Sequence, residues 1–277
     1  MKQRPNQTIA MMLSVMVILL VQEVMAADKP KEFPGRDIYP EVPYIELQDF
    51  YQKLKRNEVV VVDVRSTYEY QTLRIKGAKN IPLASKTFVA DMRKLRESEN
   101  RPIVVYCNGK TCMKSYKAAR KCIVEKIPDV TSYDAGIMDF AKTYPKDAML
   151  LGKPLHDPKK LISKEVFKQH LIDPEKFGDR IAKTSDIVLD VRDRFQREGI
   201  SIFVGREYRV PIDNTRRLDR FIDKAKRENK ALLIYDAAGK QVRWLQYYLE
   251  DRGLKSYYFM KGGIRAYYKN IKSDFKI

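Results

Sequence analysis

Three cysteines are the side chains of this 277-residue sequence best suited to nucleophilic chemistry: Cys107, Cys112 and Cys122. Two of them share the run Cys107-Asn108-Gly109-Lys110-Thr111-Cys112-Met113-Lys114-Ser115. Just ahead lies Ile103-Val104-Val105-Tyr106, a continuous apolar stretch of the kind that forms a strand buried on both faces. Just behind, Ser115 to Glu125 reads as a helix. Cys107 is therefore expected where a buried strand ends and a loop leads into a helix. Loop amides and the positive end of the helix dipole converge on such a position. They favour the thiolate, the nucleophilic form of cysteine, and suit a persulfide anion or an anionic sulfur donor equally well. Only His156 and His170 are present, so Ser-His-Asp and Cys-His catalysis are strained and a His-rich metal cage is excluded. A thiol activated by backbone amides needs no histidine. The plainer alternative is Cys107 as a small buried apolar residue.

Cys112, five residues on, is either a resolving thiol able to attack a Cys107 persulfide or form a reversible disulfide, or an inert occupant of the loop. Both readings stand. Cys122 falls inside the helix beside Ile123 and Val124 and is expected in the core. No metal site follows from Cys107 and Cys112, which lack further ligands at suitable spacing, and no cofactor is expected. The loop has no Arg to clamp a tetrahedral oxyanion bidentately, which disfavours phosphatase chemistry. Lys110 and Lys114 can attract an anion only as point charges.

These residues sit within a pattern that occurs twice. Val59 to Val62 followed by Asp63-Val64-Arg65 returns as Ile187-Val188-Leu189-Asp190-Val191-Arg192, 127 residues later. Ile81-Pro82-Leu83 returns as Val210-Pro211-Ile212 and Ile103 to Tyr106 as Leu232 to Tyr235, both at an offset of 129, and Gly136-Ile137 returns as Gly263-Ile264 at 127. Duplication explains four landmarks in one order. In the second copy Val242, Leu245 and Leu249 form one helical stripe between Gln241 and Asp251. Short buried strands alternating with helices imply an α/β fold, each copy a mainly parallel sheet flanked by helices. The expected division is a signal peptide over 1–26, a catalytic unit over 38–150 and a non-catalytic unit over 160–277. Tyr144 to Lys160, with three prolines and four lysines, reads as the linker.

The start of the chain has Lys2 and Arg4, an apolar run from Ile9 to Val21 broken only by Ser14, and the exit Val24-Met25-Ala26. This is the grammar of a secretory signal peptide. As a helix the run spans about 20 Å, short of the ~30 Å hydrocarbon core. Export to the periplasm is expected, with membrane contact only if the segment stays uncleaved, and the thiols then work in an oxidising compartment. Cleavage leaves +17 of the formal +18. A mean hydropathy of −0.48 argues against a multi-span membrane protein, and 44% hydrophobic residues against disorder. A charge of that size raises nucleic acid, anionic membranes and small anions as partners. Nucleic acid ranks last, because no recognised binding motif is present.

The first copy reads Asp63-Val-Arg65-Ser-Thr-Tyr-Glu69-Tyr70, then Ile75-Lys-Gly77-Ala78-Lys-Asn80-Ile81-Pro82, then Val104-Val-Tyr106-Cys107-Asn108-Gly109. This resembles the rhodanese family of persulfide-forming sulfurtransferases, with Leu73-Arg74 where that family usually has Gly-His. Ser115 comes eight residues after Cys107 rather than the six of the compact family loop, which is similar to the elongated C-N-G-x-x-C-W-x-S variety with Met113 in the Trp position. The resemblance implies a Cys107 persulfide formed from a small anionic donor such as thiosulfate and passed to a thiol or cyanide, as in a thiosulfate sulfurtransferase. Residues Asn108, Gly109, Lys110, Thr111, Cys112, Met113 and Lys114 are then the substrate-binding loop, with Cys112 as a candidate redox partner. The alternatives are an exported persulfide carrier or thiol-disulfide protein using Cys107 and Cys112, and a non-catalytic binding module. The second copy is more degenerate, with Gln196 in the Glu position, and has Asp236 in place of the nucleophile. A carboxylate cannot form a persulfide, so this copy is expected to be silent. It could still lend the site a wall and supply Lys240 or Arg243, although a purely structural role is favoured. Asp63 and Arg65 either touch the loop or hold the turn, Arg65 pairing with Glu69. Their persistence as Asp190 and Arg192 favours the structural role.

Overall fold

The computed structural model describes residues 32–193 and 201–274. The expected signal segment and Gln196 lie outside the described residues. Among the described residues no helix is long and apolar enough to cross a membrane.

The first half opens with helices α1 (Pro34–Ile38) and α2 (Leu47–Lys55). It then builds a parallel sheet from β1 (Val60–Asp63), β3 (Lys79–Asn80), β4 (Ile103–Tyr106) and β5 (Val130–Tyr133), in the order β3-β1-β4-β5. Every residue of β1 and β4 is buried, as unbroken apolar runs require when both faces are covered. Asp63 pairs in register with Tyr106, so the polar residue of β1 and the residue before Cys107 end their strands together. Helices α3 (Thr67–Thr72), α4 (Phe88–Ser98), α5 (Lys114–Val124) and α6 (Gly136–Thr143) flank the sheet. The start of α3 is fixed by a capping box: Ser66 Oγ accepts from the Glu69 amide while Glu69 accepts from the Ser66 amide. Along α5, Ser115, Ala118, Ala119 and Cys122 are buried at helical spacing, so Cys122 is a core residue.

The stretch expected as a linker is structured. A 3₁₀ turn at Pro145–Asp147 leads into β6 (Ala148–Leu150) and β7 (Lys153–Pro154), and these join β2 (Leu73–Ile75) in a three-stranded antiparallel sheet. Leu73 and Ile75 are fully buried, and their strand finds its partner in β6. The prolines mislead because they stand at 3₁₀ starts and on the edge strand β7, where a missing N–H costs little.

The second half contributes α7 (Lys164–Gln169), β8 (Leu171–Ile172), α8 (Pro174–Lys183), β9 (Ile187–Asp190), β10 (Glu207–Arg209), α9 (Thr215–Arg227), β11 (Leu232–Tyr235), α10 (Val242–Asp251), β12 (Tyr257–Met260) and α11 (Gly263–Asp274). Its parallel sheet runs β10-β9-β11-β12-β8. The order of the first four strands matches the first sheet, and Asp190 pairs with Tyr235 as Asp63 pairs with Tyr106. Even the fifth strand has a trace in the first half. Tyr44 bridges Ser132 there, and Leu171 pairs with Phe259 here, both members displaced by 127.

Helix α10 has two apolar faces. Val242, Leu245 and Leu249 fill the core of the second half, whereas Trp244 and Tyr247 belong to a core cluster with Phe50, Leu73 and Phe140 of the first half. The Tyr247 hydroxyl also accepts from the Ile162 amide at 3.1 Å.

Candidate active site

Cys107 follows β4 directly and has no exposed surface. Two contacts hold the strand end against the start of α6: the Ile137 amide donates to the Cys107 carbonyl at 3.0 Å and the Met138 amide to that of Asn108 at 3.3 Å. This close approach requires glycine at 136. Its φ is +68°, and a Cβ there would lie 2.4 Å from the Gly109 nitrogen.

The Cys107 sulfur donates to the Cys112 carbonyl oxygen at 3.1 Å and lies 3.6 Å from Ser115 Oγ. Burial pushes the Cys107 thiol well above its ordinary range, and the neighbouring Cys112 adds to the rise. For Cys112 the balance is reversed. The hydrogen bond from Cys107 outweighs burial, and the amides of Asn108 and Lys114 add to it, bringing this thiol down to about 6. The two thiols therefore influence each other's ionisation in opposite directions, and the loop brings the Cys112 carbonyl against the Cys107 sulfur.

Loop position is controlled by a buried polar chain. Arg65 forks onto Asp63, at 2.9 Å through Nε and 2.6 Å through Nη2, and both residues are fully buried. The expected Arg65–Glu69 pair is replaced by this one, because the Arg65 side chain turns back along its own strand end. Its remaining nitrogen donates to Asn108 Oδ1 at 3.1 Å, and Asn108 Nδ2 donates to Glu69 at 2.9 Å. Burial alone would push the Glu69 carboxyl up, but Lys114, Arg65 and the hydrogen bonds from Asn108 and Ser66 hold it below its ordinary value. Arg65 thus serves the turn and the loop together, and its guanidinium also lies 5.1 Å from the Trp244 ring.

A cavity of about 600 Å³ opens in front of the loop. Asn108, Gly109, Lys110, Thr111 and Cys112 line it, and Cys107 does not. Met113 and Lys114 are also absent from its wall: Met113 packs on the core beside Cys107, and Lys114 faces Glu69 at 3.5 Å. Lys110 is engaged by Asp139 at 3.1 Å and by Glu32. The two loop lysines expected to draw in an anion are therefore both matched with carboxylates. Of the cations that line the cavity, Lys142, Lys164 and Arg243 have no ion pair among the described residues. Arg243 and Trp244 bring the second half into the wall, and Lys240 stays outside. The signal was present in the sequence. Trp244 and Tyr247 lie off the Val242-Leu245-Leu249 stripe, and a helix with two apolar faces is covered on both sides.

At the equivalent point of the second half stands Asp236, buried after β11. Its carboxylate accepts from the amides of Ala238 at 2.9 Å, Gln241 at 2.6 Å, Val242 at 3.2 Å and Gly239. Gly263, at φ +61°, makes the same close approach to this loop that Gly136 makes to the other.

Residues 46–143 match the family described as rhodanese-like domain, so a rhodanese-like domain is present in this chain, with α/β layers, parallel and antiparallel sheets and flanking helices. Among curated proteins, the tRNA uridine(34) hydroxylase of Pelagibacter ubique (strain HTCC1062) is 31% identical over 131 residues, 43% of this chain and 42% of that protein. That of Bacillus mycoides (strain KBAB4) is 30% identical over 126 residues, 45% of this chain and 35% of that protein. The match spans less than half the length of these relatives. Among solved structures, thiosulfate sulfurtransferase from Pseudomonas aeruginosa aligns with 82% of this chain and 45% of its own at 19% identity and a TM-score of 0.34. The BH2092 protein from Bacillus halodurans aligns with 47% of this chain and 91% of its own at 21% identity and a TM-score of 0.37.

Proposed function

We propose that this chain is an exported sulfurtransferase of two tandem rhodanese-like units, 38–150 and 160–277, in which the first works and the second is silent. Cys107 takes the sulfane sulfur of a donor such as thiosulfate and passes it to a thiol or to cyanide. The observation that carries this reading is the contrast at two equivalent strand ends. One presents a thiol under a loop open to a cavity, the other a carboxylate that has already taken four loop amides.

The chemistry runs in two steps. The Cys107 sulfur, once deprotonated, attacks the outer sulfur of thiosulfate. The S–S bond of the donor breaks and sulfite leaves with the electron pair. The acceptor then attacks the outer sulfur of the Cys107 persulfide, the bond to Cys107 breaks, and its electron pair returns to Cys107. The activity of the tRNA hydroxylases is not carried over, because the shared stretch is less than half of either protein.

Thiocyanate production from thiosulfate and cyanide tests the reading: the wild type produces it, and Cys107→Ser does not. Equal production by the two proteins rules the reading out. A second reading, a persulfide carrier or thiol-disulfide protein, is favoured by one observation, the contact between Cys107 and Cys112. It predicts a reversible Cys107–Cys112 couple when free thiols are titrated across a redox series.

A further inference from the structure

Cys107 and Cys112 differ in what they can reach. Cys107 has no exposed surface and lies behind the cavity wall, while Cys112 forms part of that wall. A donor in the cavity therefore meets Cys112 before Cys107. The Cys107 sulfur lies 3.1 Å from the Cys112 carbonyl oxygen, so the two side chains are close enough for one to hand a sulfur atom to the other. Cys112 also holds the better anion site, because the Asn108 and Lys114 amides point at its sulfur. The Cys107 sulfur instead gives its proton to the Cys112 carbonyl and sits in an apolar cluster with Val62, Val105 and Ala119.

We propose that Cys112 is a second catalytic residue, the thiolate through which sulfur enters, and that Cys107 is the sheltered residue that receives it and from which the acceptor takes it. This rests on the sulfur-transfer reading above and assigns the first encounter to the outer cysteine.

In the entry step the Cys112 thiolate attacks the sulfane sulfur of the donor, the donor S–S bond breaks, and sulfite leaves with the electron pair. Cys112 then carries the persulfide. In the relay step the Cys107 proton passes to the Cys112 persulfide, and the resulting Cys107 thiolate attacks its outer sulfur. The bond to Cys112 breaks, its electron pair stays on Cys112, and the sulfane sulfur is now on Cys107. The acceptor then takes the outer sulfur from the Cys107 persulfide, as above. Sulfur, protons and charge balance with no added oxidant or reductant. Storage behind the wall keeps the persulfide away from water and stray oxidants, a benefit in an oxidising compartment.

The test uses the full chain and two readouts. The first follows persulfide formation at each cysteine by mass spectrometry at short times after adding thiosulfate, in wild type, Cys112→Ser and Cys107→Ser. Loading of Cys107 is expected to slow by about tenfold or more in Cys112→Ser, and Cys107→Ser is expected to accumulate the adduct on Cys112. Loading of Cys112→Ser at the wild-type rate, or no adduct on Cys112 in Cys107→Ser, overturns the proposal. The second readout needs no sulfur transfer: in the wild type at neutral pH, iodoacetamide is expected to label Cys112 at least about tenfold faster than Cys107. Equal labelling also overturns it. If labelling follows this order but no persulfide forms on either cysteine, the sulfur-transfer reading fails with the proposal. If Cys107 loads normally without Cys112, the relay alone fails.

Discussion

The loops after β4 and β11 present the same scaffold with opposite contents. Both follow a fully buried strand that ends beside an Asp-x-Arg pair, and both are pinned by a left-handed glycine at the next helix start, Gly136 or Gly263. In the second loop the Asp236 carboxylate consumes four amides. In the first, amides of Asn108, Lys114 and Ser115 go to two sulfurs. A backbone cradle for an anion is thus kept in both halves, but one is filled permanently by its own side chain. The lesson is that the cradle belongs to the fold, and the residue at the strand end decides whether a substrate can use it.

Substitutions at four residues probe this contrast. The largest effect is expected for Cys107→Ser, which should lower thiocyanate formation by about a thousandfold or more while Asp236→Asn leaves it within about twofold. Comparable losses in both would break the division of labour. Next, Asp236→Ala strips four amides of their acceptor and should cost about 3 kcal/mol or more in urea unfolding. Cys107→Ala should cost only about 1 kcal/mol, and the reverse ranking would contradict the filled cradle. Third, Arg65→Met and Arg192→Met each break a buried ion pair, at 2.6 and 2.8 Å, and should each destabilise by about 3 kcal/mol. Only Arg65→Met should also slow sulfur transfer, since Arg65 alone of the two holds an active-site loop through Asn108; equal slowing by both would sink that distinction.

The smallest effect concerns pH. The Cys112 thiol is held down to about 6, by the Cys107 hydrogen bond ahead of the amides, and Cys122 is pushed up to about 12 by burial. Deprotonation creates the reactive form, so Cys112 alkylation should rise with pH through a midpoint near 6, while Cys122 stays unreactive at neutral pH. The same shift has a stability sign. A thiol lowered from 9.0 on folding contributes fully above the unfolded value and loses its contribution as pH falls through about 6. A Cys112 midpoint near 9 would remove the anion site assigned to it.

Much of this architecture was legible in the sequence. Unbroken apolar runs ending in Asp-x-Arg marked β1 and β9, and the Cys107 setting followed from strand, loop and helix in order. What escaped depended on contacts between distant segments. The antiparallel sheet of β2, β6 and β7 was hidden by prolines that proved harmless at its edge. The Arg65 partner depended on which way one side chain turned. The placing of Cys112 in the cavity wall and of Cys107 out of it required the folded loop, because spacing alone does not say which of two thiols lies on top. The wall contributed by Arg243 and Trp244 required knowing that α10 packs on both halves.

The central claim is that the first loop carries a persulfide and the second carries nothing. Mass spectrometry of the intact chain after incubation with thiosulfate, followed by site mapping, measures this directly. The account predicts one added sulfur, about 32 Da, retained on Cys107 at completion and lost on adding cyanide, whereas in Cys107→Ser any adduct maps to Cys112 and is not turned over. An unmodified chain, or an adduct that survives in Cys107→Ser at full yield and turns over normally, would contradict it.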